Sequence, residues 1–164
     1  MATTAYLGLG SNLGDRLGNL QAAVEGLHQA DGIRVVASSR VWETAPVGPP
    51  QPDYLNAVVR VETDLSPADL LAACRRVEDA LGRVRRERWG ARTIDVDVLL
   101  FDARTVDEPD LVVPHPRLTE RAFVVVPLLE LDPDPILPDG RRVRNVRLDT
   151  DGAAPFAPPL VVQP

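Results

Sequence analysis

Two aspartates in the middle of the chain have the type and spacing of a phosphate-handling site. Asp95 and Asp97 alternate with apolar residues, so in a β-strand both carboxylates project from one face while Val96 and Val98 project from the other. Two carboxylates this close repel each other unless a cation lies between them. Mg²⁺ prefers oxygen ligands and commonly takes one or two carboxylates together with substrate phosphates. The pair therefore indicates metal-assisted phosphate chemistry.

A cluster of arginines precedes this pair in the sequence. Residues 75–92 contain seven arginines against three acidic residues, in a chain whose formal net charge is −6. An Asp-x-Asp pair alone more often belongs to a solvated strand face, but a local cationic cluster on an acidic protein favours a site. The acidic total argues against broad nucleic-acid binding. All 18 basic residues are arginine, which excludes the lysine-dependent Walker A phosphate loop.

Three other positions are candidates for binding. Tyr54 and Asn56 lie two residues apart at a strand start, where they could stack on a flat heterocycle and hydrogen-bond its edge. Alone, such a pair is more often a packing tyrosine beside a capping asparagine. His115 stands between two prolines and either donates to a phosphate oxygen or lies on a surface turn.

Two further features of the sequence, a set of glycines and a single cysteine, are interpreted as structural and not as parts of a site. The spacing of Gly8, Gly10 and Gly14 is not that of a dinucleotide-binding loop, and no alternating βαβ series follows it. We interpret these glycines as a tight turn from a strand into the first helix. Cys74 is the only cysteine, so an internal disulfide is impossible, and its helical spacing from Leu70 favours a core residue over a nucleophile.

Periodicity predicts a β-α-β-β-α-β order. Serine and proline at 66–67 mark the start of the second helix, and the first helix should bury Leu17, Leu20, Val24 and Leu27. The predicted strands are residues 3–10, residues 33–39 with 41–44 as a frayed continuation, residues 55–63 and residues 93–101. The first predicted helix begins after residue 15, the second runs from 66 to about 81, and the third runs from 121 to 131. This order is typical of a ferredoxin-like α+β sandwich, an antiparallel sheet with helices packed on it.

Length and composition predict one domain at residues 1–150, followed by a proline-rich tail at 151–164 that is extended or mobile. No apolar run approaches 18 residues, and the N-terminus lacks the pattern of a secretory signal. We therefore expect a cytoplasmic protein with no membrane partner.

Several motifs together resemble a known family. They are Gly10-Ser11-Asn12-Leu13-Gly14-Asp15, Thr44-Ala45-Pro46-Val47-Gly48, Pro52-Asp53-Tyr54-Leu55-Asn56-Ala57, Arg88-Trp89-Gly90-Ala91-Arg92-Thr93-Ile94-Asp95-Val96-Asp97, Val113-Pro114-His115 and Arg121-Ala122-Phe123. In this order, over about residues 4–140, they resemble the 6-hydroxymethyl-7,8-dihydropterin pyrophosphokinase family.

The resemblance implies an ATP-dependent diphosphotransferase of folate synthesis, with the ferredoxin-like fold. It would transfer pyrophosphate from ATP to the hydroxymethyl group of 6-hydroxymethyl-7,8-dihydropterin, release AMP, use two Mg²⁺ ions and act as a monomer. The roles that it implies are catalysis by Arg83, Arg92, Asp95 and Asp97; metal binding by Asp95 and Asp97; ATP binding by Glu78, Arg83, Arg86, Arg88, Arg92 and His115; and pterin binding by Thr44, Ala45, Val47, Tyr54, Asn56, Trp89, Asp95 and Phe123.

Two alternatives to this function stay open at this point. A two-metal phosphodiesterase or nuclease could use Asp95 and Asp97, but it needs further ligands, and His115 is the one good extra candidate. A non-catalytic ferredoxin-like module that binds small ligands or RNA would tolerate Asp95→Ala. RNA binding would require exposed aromatic residues and a basic sheet, neither of which the sequence indicates.

Overall fold

The computed structural model describes residues 2–46, 50–82, 93–146 and 152–163. The strands are β1 (Thr3–Ser11), β2 (Ile33–Ser38), β3 (Val41–Thr44), β4 (Tyr54–Thr63), β5 (Asp95–Phe101), β6 (Val106–Glu108), β7 (Leu111–Val113) and β8 (Ala153–Ala157). The helices are α1 (Arg16–Gln29), α2 (Pro67–Ala80) and α3 (Ala122–Leu131), with short 3-10 helices at Leu118–Glu120 and Val143–Asn145.

The main sheet has six antiparallel strands in the order β5-β1-β4-β3-β8, and β2 also pairs with β4. The path β5-β1-β4-β2, connected through α1 and α2, is the strand order of a ferredoxin-like sandwich. The fold class predicted from the sequence is therefore confirmed. A separate hairpin of β6 and β7 follows β5.

Helices cover both faces of this sheet. Alternate residues such as Leu7 of β1 and Val59 of β4 point into a core shared with α1 and α2. Val58 and Leu99 point the other way, into a second cluster under α3. We call these the α1/α2 face and the α3 face. Along β4, alternate residues from Leu55 to Val61 point into the core on the α1/α2 face, whereas on the α3 face Val58 stands between the polar Asn56 and Arg60.

Local sequence accounts for where the first two helices begin. The Asp15 carboxylate accepts a hydrogen bond from the Gly18 amide at 3.1 Å, and the Ser66 hydroxyl accepts one from the Asp69 amide at 3.1 Å. Pro67 occupies the first turn of α2, where its missing N–H has no helical partner to lose. In the described part of the chain, every helix is too short or too polar for a membrane crossing.

One prediction about the first half of the chain was wrong, and another is confirmed. Leu17 is 39% exposed, while Leu20, Val24 and Leu27 are buried as predicted. Residues 41–44 follow β2 along the same edge of β4 after a break at Ser39 and Arg40, as the predicted continuation implies, and they also pair with β8. At the break, the Ser39 hydroxyl accepts a hydrogen bond from the Val58 amide at 2.9 Å.

The C-terminal residues, expected to be an extended or mobile tail, include an extended segment that pairs with the main sheet. Residues 153–157 form β8, which pairs with β3 at the edge of the main sheet. Leu160 is 6% exposed and belongs to the core on the α1/α2 face. The described part of the segment 151–164 is therefore integrated into the fold.

Candidate active site

The two predicted carboxylates lie at the start of β5, on the α3 face. Asp95 pairs with Gly10 of β1 and Asp97 pairs with Gly8, while Val96 points into the core on the opposite face. Asp95 is half-buried and Asp97 is exposed. The strand alternation predicted from the sequence is thus present.

Asn56 lies on the other side of Gly10 from Asp95. Gly10 pairs with both residues, so their side chains share one row of the sheet on one face. Asn56 is 6% exposed, and its amide oxygen accepts a hydrogen bond from the Thr44 hydroxyl at 2.6 Å. A Cβ atom on Gly10 would come within 3.0 Å of Asn56 Nδ2 and 3.6 Å of the Tyr54 ring. The glycine therefore makes room for both predicted binding residues.

The start of α3 brings an aromatic ring and a cation to the same face. Phe123 packs against the cluster under α3, and the Arg121 guanidinium lies 5.3 Å from its ring centroid. Burial and nearby Arg117 lower the pKa of Arg121, whereas the charges of Asp97 and Asp95 act to raise it. Arginine remains charged under such shifts. Arg121 was not among the predicted site residues, although it stands two residues before Phe123 in the last motif.

His115 lies in a cleft beside Asp97. Its amide donates to the Leu99 carbonyl at 3.0 Å, just after the cis Val113–Pro114 peptide bond. Its Nδ1 accepts a hydrogen bond from the Arg117 amide at 3.3 Å, which leaves Nε2 as the donor of the neutral ring. Burial, Arg121 and Arg117 lower the pKa of His115. The cleft has a volume of about 350 Å³, and Glu78, Asp110 and Leu111 also line it.

Glu78 joins α2 to the outer edge of β5. It is 5% exposed, and its carboxylate accepts a hydrogen bond from the Val96 amide at 2.9 Å. This amide lies between the two aspartates in the sequence. Glu78 therefore has a structural contact at the predicted metal site in addition to its position on the cleft.

The remaining predicted residues divide between described and undescribed parts of the chain. Ala45 is exposed, and its amide donates to the Gly152 carbonyl at 3.2 Å. Val47, Arg83, Arg86, Arg88, Trp89 and Arg92 lie outside the described residues, so their predicted roles stay predictions.

The donor set at Asp95 and Asp97 fits Mg²⁺ better than a metal that needs a protein cage. Among residues 2–46, 50–82, 93–146 and 152–163, no three His, Cys, Asp or Glu side chains converge as a metal-binding group. Two carboxylates supply hard oxygen ligands and leave other coordination positions to phosphate oxygens and water. The residues present are those that a metal carried with a phosphorylated substrate would require.

Comparison with known proteins gives one consistent result. Residues 6–133 match the family described as 7,8-dihydro-6-hydroxymethylpterin-pyrophosphokinase (HPPK). The chain is 49% identical over 153 residues to the 2-amino-4-hydroxy-6-hydroxymethyldihydropteridine pyrophosphokinase of Methylorubrum extorquens, over 92% of this chain and 96% of the relative. It is 46% identical over 132 residues to the enzyme of that name from Bacillus subtilis, over 80% and 79% of the two chains.

Solved structures agree on the fold. An HPPK-DHPS crystallised in complex with substrates has a TM-score of 0.71 at 12% identity, over 88% of this chain and 42% of that one. Wild-type Plasmodium falciparum HPPK-DHPS has a TM-score of 0.71 at 15% identity, over 89% and 44%. This chain spans less than half the length of those chains. On the sequence match and these relatives, the chain belongs to the 7,8-dihydro-6-hydroxymethylpterin-pyrophosphokinase family.

Proposed function

We propose that this chain transfers the pyrophosphoryl group of ATP to the hydroxymethyl group of 6-hydroxymethyl-7,8-dihydropterin, in folate biosynthesis. Its family and its named relatives support this activity. The observation that carries the assignment to particular residues is the row Asp95–Gly10–Asn56 across β5, β1 and β4. A carboxylate and an amide on one row of the sheet support the proposal that phosphate and heterocycle are bound side by side.

The pterin would occupy the α3 face beside this row. Asn56 offers its NH₂ group, because Thr44 holds its amide oxygen, and an oriented amide can read the polar edge of a pterin. Tyr54 and Phe123 supply rings for stacking on a flat heterocycle. Backbone groups of Ala45 and Val47, together with Trp89 and Asp95, complete the pocket in this proposal.

ATP would bind in the cleft between α2, β5 and the His115 turn. His115 offers Nε2–H to a phosphate oxygen, and Glu78 lines the cleft on the α2 side. Asp95 and Asp97 would hold two Mg²⁺ ions, which, when bound, neutralise charge on the phosphates and on the attacking oxygen. Arg83, Arg86, Arg88 and Arg92 would add cationic contacts to the phosphates, as arginine forks suit charged oxygens.

Transfer requires one bond to form and one to break. The hydroxymethyl oxygen attacks the β-phosphorus of ATP, the bond from that phosphorus to the α,β-bridging oxygen breaks, and AMP leaves with that oxygen. The hydroxyl proton passes to water in this scheme, and no side-chain base is assigned. Negative charge grows on the phosphate oxygens, so cationic side chains and positioning supply most of the catalysis.

We propose further that the chain acts as a monomer in the cytoplasm. ATP is made and kept inside cells, which supports the proposed location. The formal charge of −6 opposes binding to nucleic acid. The nuclease and binding-module alternatives are unsupported, because the family match and the named relatives all point to the pyrophosphokinase.

The test is AMP release from ATP and Mg²⁺ with and without 6-hydroxymethyl-7,8-dihydropterin. We expect AMP rather than ADP, and only when the pterin is present. Asp97→Asn, which keeps the side-chain shape, should fold normally and lose activity on the order of 100-fold or more. The exposed Asp79→Asn is the matched control and should keep full activity. Pterin-independent AMP release, or an active Asp97→Asn, would contradict the proposal.

A further inference from the structure

Arg16 makes a set of contacts that the proposed reaction does not use. It is the first residue of α1, and its Nη1 donates to the Glu43 carboxylate at 2.9 Å and to the Asp53 carbonyl at 3.0 Å. Its guanidinium also lies 5.4 Å from the ring centroid of Phe156 in β8. One side chain therefore connects α1 with three other segments of the chain.

Two of these contacts are with residues at or next to the two ends of the loop 45–53. Glu43 directly precedes Thr44 at the end of β3, and Asp53 directly precedes Tyr54 at the start of β4. β3 and β4 share only three paired positions, the last of them Thr44 with Tyr54. The loop contains four prolines, which lack the N–H needed to extend that pairing. Arg16 thus reinforces a short hairpin stem.

The contacts are made from the far side of the sheet. Glu43 pairs with Leu55, whose side chain lies in the core on the α1/α2 face, whereas Asn56 points to the α3 face. Arg16 cannot reach a pterin on the α3 face. What it can set is the position of the backbone that carries Thr44 and Tyr54.

The environment of Arg16 favours a defined geometry. Its side chain is 25% exposed and that of Glu43 is 35% exposed, so the pair is better shielded than a typical surface ion pair. Hydrogen bonds to charged groups are stronger than neutral ones, and the Phe156 ring restricts the guanidinium plane.

We infer that Arg16 is a positioning residue for the pterin pocket, which fixes the two ends of the loop 45–53 and so the Thr44–Asn56–Tyr54 group. The inference rests on the proposed function. Removing Arg16 should loosen the pterin pocket while leaving the ATP cleft intact, because Arg16, Glu43 and Phe156 are not among the described residues that line that cleft.

The experiment measures steady-state kinetics of AMP release for Arg16→Ala. We expect KM for the pterin to rise about tenfold at saturating ATP, as loss of a charged hydrogen bond implies, with KM for ATP unchanged. Glu43→Gln keeps an oxygen that can accept from Arg16 and should give a smaller rise. Arg34→Ala is the matched control, because Arg34 pairs with Glu62 at the opposite end of β4 and should change neither KM.

Other outcomes separate the possible failures. A wild-type chain without pterin-dependent AMP release would contradict the proposed function itself. An active wild type with an unchanged pterin KM in Arg16→Ala would overturn the positioning role alone. Equal rises in both KM values would show a general structural role and would also overturn it. If Arg16→Ala fails to fold, Arg16→Lys is measured instead, and it should retain the selective rise in pterin KM.

Discussion

At the scale of single residues, the absence of a side chain at Gly10 is as important as the groups around it. A Cβ there would lie 3.0 Å from Asn56 Nδ2, and Asn56 cannot turn away without breaking its 2.6 Å hydrogen bond with Thr44. We therefore predict that Gly10→Ala displaces the Asn56 amide and raises KM for the pterin by about tenfold, the value of one lost hydrogen bond. Steady-state kinetics at saturating ATP measure this change.

Gly8→Ala is the control on the same strand and the same face. A Cβ at Gly8 would meet the Leu99 side chain at 3.4 Å, which is ordinary van der Waals contact. This variant should keep the pterin KM of the wild type. If Gly10→Ala also keeps it, the Asn56 amide is not a pterin contact.

His115 gives the protein a pH dependence of stability that can be assigned to one residue. Its pKa is lowered in the folded state, first by burial and then by Arg121 and Arg117. Below the ordinary histidine pKa, near 6.5, the unfolded chain takes up a proton that the folded chain resists. Stability is therefore lost as pH falls from about 6.5 toward the lower folded value.

We predict that His115→Gln flattens this loss, since glutamine does not titrate. As the pH is lowered from 7.5 to 5.5, the melting temperature of the wild type should fall more steeply than that of His115→Gln, so that the two values converge. Differences between the two chains remove the contribution of groups common to both. If the two melting temperatures change in parallel over this pH range, the folded state does not resist protonation of His115.

Some of these residues could be predicted from the sequence because their geometry is local. The two-residue period of a strand is enough to place Asp95 and Asp97 on one face, whatever the strand packs against. Arg121 could not be found in this way. Its approach to the carboxylates depends on where α3 crosses the sheet, and neither spacing nor residue type contains that information.

At the scale of elements, α2 supports β5 through a buried side chain. The Glu78 carboxylate accepts from the Val96 amide on the outer edge of the strand, next to both aspartates. We predict that Glu78→Ala lowers the free energy of unfolding by about 1–3 kcal/mol, because it leaves a buried N–H without its partner. Urea denaturation measures this difference.

Two further variants test whether the contact with Val96 causes this loss of stability. Glu78→Gln keeps an acceptor oxygen and should lose less stability than Glu78→Ala. Asp79→Ala, at the exposed neighbouring position of α2, should change stability by no more than about 0.5 kcal/mol. A Glu78→Ala variant of wild-type stability would mean that the contact with Val96 contributes nothing to β5.

Element boundaries were predictable where a local signal marks them. Ser66 and Pro67 mark the start of α2 in the sequence, and the structure places it there. The break between β2 and β3 has no such signal. At that break the Ser39 hydroxyl accepts a hydrogen bond from the Val58 amide, a contact between residues on two different strands that local sequence does not reveal.

At the scale of the whole molecule, the strand order of the ferredoxin-like core followed from the order of elements, but the extent of the domain did not. The prolines after residue 151 are typical of an unpaired tail, and a proline cannot donate to a ladder. An edge strand tolerates this, since only one of its two sides is paired. β8 is such a strand, with Pro155 opposite Trp42.

If the C-terminal segment is part of the fold, its buried residues must contribute to stability. Leu160 is 6% exposed in the core, and its amide donates to the Ser38 hydroxyl at 3.2 Å. We predict that Leu160→Ala costs about 2–5 kcal/mol of unfolding free energy, the usual cost of emptying a buried leucine site. The neighbouring Val161 is 68% exposed, so Val161→Ala should cost less than about 0.5 kcal/mol. Urea denaturation of both variants decides the question, because a tail outside the fold would make the two changes equally small.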